Sequence, residues 1–170
     1  MFNQIKLINQ ITKPGIARMN LITVSIGYYL ASLGSFYPYK TFVFLLIGTY
    51  LIASACGIHN SYIERRLDAL MDRTKNRPFV KKTVSVTFSL CLSVVFLLFG
   101  LYIHFFFVNT YTAILSGLTW FLYVCVYTPL KTKTWLNTFV GSFPGAIPIV
   151  GGWVAATGTF DAYALMLFMV

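Results

Sequence analysis

Segregation of charge constrains this chain more than any other feature. Residues 19–39, 41–58, 83–130 and 134–160 contain no lysine, arginine, aspartate or glutamate. Each run approaches or exceeds the roughly 20 residues that a helix needs to cross a ~30 Å hydrocarbon layer. With 58% apolar and only 10% charged residues, a water-soluble domain would lack the polar side chains to cover its surface. The expected fold is all-α: a polytopic transmembrane helix bundle in the lipid bilayer, where every backbone polar group must be satisfied within the protein.

The 83–130 run is long enough for two crossings, and His104, Asn109 and Thr110 interrupt it near its middle. A helical hairpin with spans at 83–103 and 110–130 is therefore predicted. Further spans are predicted at 19–39, 41–58 and 134–158. The apolar residues 162–170 read as the start of a sixth span, about half a crossing at ~1.5 Å per residue, and the whole of 1–170 reads as one membrane domain that is part of a longer polypeptide. Phe2, Ile5 and Ile8, with Leu7 and Ile11 beside them, recur at helical spacing and predict a short interfacial helix. Pro14 suits the first turn of the helix that follows. Cys56, Cys91 and Cys125 fall in three different apolar runs without paired spacing, so buried small apolar residues are expected in place of a metal or disulfide framework.

If the charged loop 59–82 is cytoplasmic, the alternation of spans puts the N-terminus (Lys6, Lys13, Arg18) and the Lys131 and Lys133 loop on the same side. Every basic residue except Lys40 then lies inside, with Asp161 outside, as the positive-inside rule requires. The net charge of +9 is thus a topology signal, and nucleic acid is not an expected partner. No Arg- and Ser-rich presequence precedes the first span, which points to a bacterial plasma membrane. The aromatic run Phe105, Phe106, Phe107 and the adjacent His104 are expected at the outer interface.

Loop 59–82 carries the chemistry. Asn60, Glu64, Asp68 and Asp72 recur every four residues, so on a helix they form one slowly drifting stripe. Like charges at this spacing cost about 0.2–0.5 kcal/mol per pair on an exposed helix, which asks for a compensating cation. Mg²⁺ meets that need with oxygen ligands and recruits phosphate oxygens of a substrate. Arg65, Arg66, Arg73, Lys75, Arg77, Lys81 and Lys82 share the loop and suit a diphosphate. The same pattern also fits a plain solvated loop, with Arg65 to Asp68 and Asp72 to Lys75 as i,i+3 ion pairs.

These residues resemble a known family. Asn60, Glu64 and Asp68 at four-residue spacing are similar to the first Asn/Asp-rich motif of the UbiA superfamily of intramembrane prenyltransferases. Met71 to Pro78 (MDRTKNRP) resembles the MxRTxxRP signature of its heme-farnesylating branch, Tyr127 to Lys131 resembles the YxxxK element, and Gly141 to Pro148, continuing to Gly158, resembles that branch's glycine- and proline-rich fifth helix. The likeness runs from about Lys13 to the end. Glu64 stands where many members have Asp, which keeps a carboxylate, and Ile149 stands where relatives often have a second Pro.

The resemblance implies a nine-helix UbiA-like fold, of which about 5.5 helices are present here. It implies Mg²⁺ held by catalytic Asn60, Glu64 and Asp68, with Asp72 as a further candidate. It implies a diphosphate contacted by Arg73, Arg77 and Lys131, with Lys13 and Tyr127 as additional candidates. The donor would be farnesyl diphosphate, the acceptor the vinyl group of heme b, and the product heme O, passed on to a heme A synthase. The family's second Asp-rich loop is not found within 1–170, so this chain is expected to be inactive alone. No heme ligand is assigned, although His59 lies beside Asn60. Two other readings stay open: a UbiA-type enzyme acting on an aromatic or quinone precursor, and a non-enzymatic membrane assembly or transport component whose acidic stripe binds a cation or partner.

Overall fold

The computed structural model describes residues 2–36, 38–131 and 133–169, with the side chains of residues 2–6 outside the described set. The side chains of Phe2 and Ile5, invoked for the interfacial helix, and Val170 therefore lie outside it. The described residues form helices joined by turns, without a strand. In chain order these are α1 (Phe2–Ile11), α2 (Pro14–Ala31), α3 (Tyr39–Ile63), a single turn α4 (Arg65–Asp68), α5 (Val86–Val108), α6 (Thr110–Leu130), α7 (Asn137–Thr157) and α8 (Ala162–Met169). Four of them, α3, α5, α6 and α7, are long and apolar enough to cross a membrane.

Several boundaries differ from those predicted, each for a local reason. The first long helix is not 19–39 but Pro14–Ala31. Pro14 fits the first turn, where its missing N–H costs nothing, and Leu33 and Gly34 at φ 53° and 86° end the helix. The next helix does not stop at 58 but runs on to Ile63, because residues 59–63 contain no breaker. Asn60 is thus helical, and the charged loop starts at Glu64. The hairpin between α5 and α6 is tight, with only Asn109 outside helix. That side chain caps α6 by accepting from the Thr112 N–H at 2.8 Å.

His104 is the largest departure. It is not interfacial but buried, 1% exposed, at the start of a π-helical segment, His104–Val108. Its ring packs over Gly48, where an added Cβ would collide with it. One ring nitrogen bonds the Leu45 carbonyl at 3.2 Å and the other the Ser116 hydroxyl at 2.8 Å. Phe105, Phe106 and Phe107 beside it are exposed.

The bundle is built around α2, α3 and α7. Helix α2 packs on α7 and α3, α3 packs on α5, and α6 packs on α7. The α2–α7 crossing is close because glycines face backbone on both sides. A Cβ at Gly27 would meet the Ile149 carbonyl, and one at Gly152 would meet the Val24 carbonyl. In an apolar surrounding, close approach of small residues supplies the dispersion contacts that hold helices together. Tyr28 on the same face is fully buried and donates its hydroxyl to the Pro38 carbonyl at 3.0 Å.

Candidate functional site

The site lies where the charged loop leaves the bundle. The last turn of α3 presents Asn60 inward, 2% exposed; Glu64 ends that helix at 7%, and Asp68 ends α4 at 4%. The backbone stays helix-like through this junction, with the Glu64 N–H on the Asn60 carbonyl and the Asp68 N–H on the Glu64 carbonyl, both at 2.9 Å. The four-residue spacing therefore brings the first three members of the stripe together.

Asp72 does not belong with them. Beyond Asp68 the chain leaves helix for a series of turns, so its side chain is 97% exposed and pairs with Lys75, itself solvated, at 2.7 Å. The metal role considered for Asp72 is corrected on that ground. The i,i+3 pairing expected for Asp72 and Lys75 is present. Asp68 pairs instead with a residue nine positions on, because the turns through RTKNRP fold the chain back. The Thr74 hydroxyl donates to the Asp68 carbonyl at 3.0 Å, and Arg77 Nη1 reaches both carboxylate oxygens of Asp68, at 2.7 and 2.6 Å. Phe79, just past this loop, anchors it in a cluster with Ile11 and Ile58.

Two lysines from distant parts of the chain converge on Glu64. Lys131, at the end of α6, donates to Oε1 at 2.9 Å, and Lys13, between α1 and α2, lies 3.6 Å from Oε2. Lys13 also donates to Asn60 Oδ1. It is delivered by a docked segment: Gly57 has no side chain to hold off the Thr12 carbonyl, and the Ser61 hydroxyl donates to the Ile11 carbonyl at 3.4 Å. Lys13 itself takes φ 52°, a left-handed conformation that an L side chain adopts only when its surroundings hold it there.

Burial alone would raise the Glu64 pKa, but the Lys131 hydrogen bond and the nearby Lys13 charge outweigh it and hold the carboxyl below its usual range. The hydrogen bond to Glu64 raises Lys131, whereas burial lowers Lys13, with Glu64 opposing that shift.

Glu64, Asp68, Arg73, Arg77 and Lys131 line a cavity of about 390 Å³. Arg73 forms no ion pair among the described residues and faces this space. A second cavity of about 220 Å³ runs into the bundle past Asn20, Cys56, Tyr123, Tyr127 and Pro144. Tyr127 thus lines the inner space and not the charged one, with its ring against Gly141. A smaller cavity of about 50 Å³ continues from it and shares Asn20, Ala53, Cys56 and Thr119. His59 turns away toward α5, where its Nδ1 is 2.6 Å from the Ser93 hydroxyl.

The structure therefore holds a charged cavity at the loop and a separate, mainly apolar one within the bundle. Asn60, Glu64 and Asp68 offer only hard oxygen donors, which suit Mg²⁺. Glu64 and Asp68 face Lys13, Lys131, Arg73 and Arg77, so cations outnumber carboxylates. That balance fits a metal arriving with a polyanion better than a bare metal, and the donor set is compatible with Mg²⁺ on those terms. Thr74 and Thr128 were not singled out by sequence reasoning. Thr128 accepts from Asn60 Nδ2 at 3.2 Å and donates to the Tyr123 carbonyl at 2.7 Å. It lies inside the YxxxK element, which was the available signal.

The model of the UbiA prenyltransferase family matches residues 20–170. The chain belongs to the UbiA prenyltransferase family. This UbiA-family chain is 44% identical over 161 residues to a protein of Christiangramia forsetii named protoheme IX farnesyltransferase, covering 95% of this chain and 53% of that protein. It is 41% identical over 172 residues to a protein of the same name from Flavobacterium psychrophilum, covering 100% of this chain and 56% of the relative. It spans about half the length of the curated relatives it matches. A solved structure from work on digeranylgeranylglyceryl phosphate synthase in membranes aligns with a TM-score of 0.86 over 98% of this chain and 58% of the other, at 16% identity. That likeness establishes the UbiA-type helical fold.

Proposed function

We propose that this chain carries the donor-binding half of an enzyme that transfers the farnesyl group of farnesyl diphosphate to the vinyl group of heme b, water then adding as a hydroxyl to the heme-side carbon with loss of a proton, to give heme O and diphosphate. The observation that carries the reading is the pairing of buried Glu64 and Asp68 with Lys13, Lys131 and Arg77, with Arg73 lining the same charged cavity and a mainly apolar cavity within the bundle. The names of the relatives point to the acceptor. The difficult step is breaking the allylic C–O bond, in which the electron pair leaves with the diphosphate. Groups fixed where that negative charge collects lower the barrier most.

Mg²⁺ held by Asn60, Glu64 and Asp68 would neutralise the departing oxygens as a Lewis acid. Arg73 is placed to bind diphosphate without first leaving a carboxylate. Arg77, Lys131 and Lys13 are held on Asp68, Glu64 and Asn60 and can exchange those partners for phosphate oxygens. The channel past Tyr123 and Tyr127 takes the farnesyl tail and keeps water from the electron-poor allylic carbon. Transfer is assigned to a polypeptide of the relatives' full length.

All basic residues but Lys40 gather at the site's end of the bundle by charge pattern, which supports a bacterial plasma membrane setting with that end cytoplasmic. Heme O would then pass to a heme A synthase. The test is product analysis: the full polypeptide in nanodiscs, with Mg²⁺ and farnesyl diphosphate, is offered heme b and, separately, an aromatic acid. A farnesylated, hydrated heme is the expected product, and prenylation of the aromatic acid alone would replace the acceptor.

A further inference from the structure

We propose that Thr128 is a positioning residue that fixes which end of the Asn60 amide faces Lys13 and, through it, Glu64, an inference that rests on the metal reading above. The two ends of an asparagine amide are nearly the same shape, yet only the oxygen can bind a cation. Asn60 is 2% exposed, so its neighbours decide the orientation.

The Thr128 hydroxyl has a single proton, and the local backbone commits it. Pro129 has no N–H, and its ring crowds the carbonyl four residues back, that of Cys125. Immediately before it, α6 widens into π register over Leu122–Tyr127, a feature that in other helices often marks functional sites. The wider turn brings the backbone N–H of Thr128 to the Tyr123 carbonyl, and its hydroxyl donates to the same oxygen at 2.7 Å.

With that proton spent, Thr128 Oγ1 offers Asn60 only lone pairs and accepts from Nδ2 at 3.2 Å. The amide oxygen is thereby turned the other way, where Lys13 donates to it. Lysine has only donors, so both neighbours impose the same orientation. The Asn60 oxygen thus faces the lysine that also lies 3.6 Å from Glu64. Serine at 128 would preserve this logic. Valine would leave Nδ2 buried without an acceptor whenever the oxygen faces Lys13.

Mn²⁺ serves as a paramagnetic probe in place of Mg²⁺, titrated with inorganic diphosphate into the full polypeptide in nanodiscs and read by electron paramagnetic resonance. Thr128→Ser is expected to bind within about twofold of wild type, and Thr128→Val about tenfold more weakly, the scale of one buried unpaired amide N–H. In an Asn60→Asp background, Thr128→Val is expected to cause no further loss, because a carboxylate presents oxygen from either end. Thr128→Ala carries the same expectation should the valine variant fail to purify as a folded protein. A purely structural role would lower the unfolding temperature in both backgrounds and leave Mn²⁺ affinity unchanged, which overturns the proposal. If wild type takes up no Mn²⁺ with diphosphate, the metal reading falls and this one with it. If wild type binds and Thr128→Val binds equally well, only this one falls.

Discussion

The Asp68–Arg77 pair is asymmetric, and its asymmetry is measurable. The Asp68 side chain is 5% exposed and that of Arg77 29%. Removing the carboxylate by Asp68→Asn leaves a guanidinium that can turn to water. The loss is mainly two charge-assisted hydrogen bonds, about 2 kcal/mol of net stability. Removing the cation by Arg77→Leu leaves a carboxylate that burial keeps from water, and uncompensated buried charges cost about 3–5 kcal/mol.

Arg77→Leu should therefore be the more damaging change at neutral pH, by about 1–3 kcal/mol. Thermal unfolding of the detergent-solubilised protein at neutral pH, with each variant compared with wild type, reads the difference. Equal losses for the two variants, or a larger loss for Asp68→Asn, would refute the reasoning.

Gly152→Ala would place a Cβ against the Val24 carbonyl and should destabilise the α2–α7 crossing by about 2 kcal/mol, seen as a lowered unfolding temperature; Gly145→Ala, with nothing within 4 Å of the added carbon, should not. The Glu64 carboxyl is depressed below its ordinary 4.5 and Lys131 raised above its ordinary 10.5. The stability they contribute is therefore full between those values, lost as pH falls through the depressed folded pKa of Glu64, and lost as pH rises through the raised one of Lys131. Glu64→Gln should abolish the acid limb in an unfolding series against pH. Asp72→Asn should change stability by less than about 0.5 kcal/mol and leave Mn²⁺ affinity untouched, because that side chain is 97% exposed.

Much of this architecture was legible because charge and apolar length are properties of the chain itself. The charge-free runs 41–58, 83–130 and 134–160 became α3, α5, α6 and α7, whereas 19–39 covers only part of α2, which runs Pro14–Ala31; the four-residue spacing placed Asn60, Glu64 and Asp68 on one surface. The stripe failed at Asp72 because spacing is informative only while the backbone stays helical, and the turns after Asp68 redirect it.

His104 was misplaced for a related reason. A histidine beside three phenylalanines reads as interfacial, but the notch at Gly48 and the Leu45 carbonyl that bury it belong to another helix. The partners of Glu64 and Asp68 were also hidden, since Lys13 and Lys131 are far away in sequence and Arg77 returns through turns. The order of the YTPLK residues suggested Lys131, yet only the packed structure shows that Thr128 beside it holds Asn60.

Binding of the metal and diphosphate at Asn60, Glu64 and Asp68 is the central claim. The deciding measurement is Mg²⁺-dependent transfer of farnesyl to heme b by the full polypeptide, comparing wild type with Asp68→Ala at matched levels of membrane-inserted protein. Loss of all Mg²⁺-dependent product, with insertion intact, is the predicted result. Undiminished transfer by Asp68→Ala would contradict it.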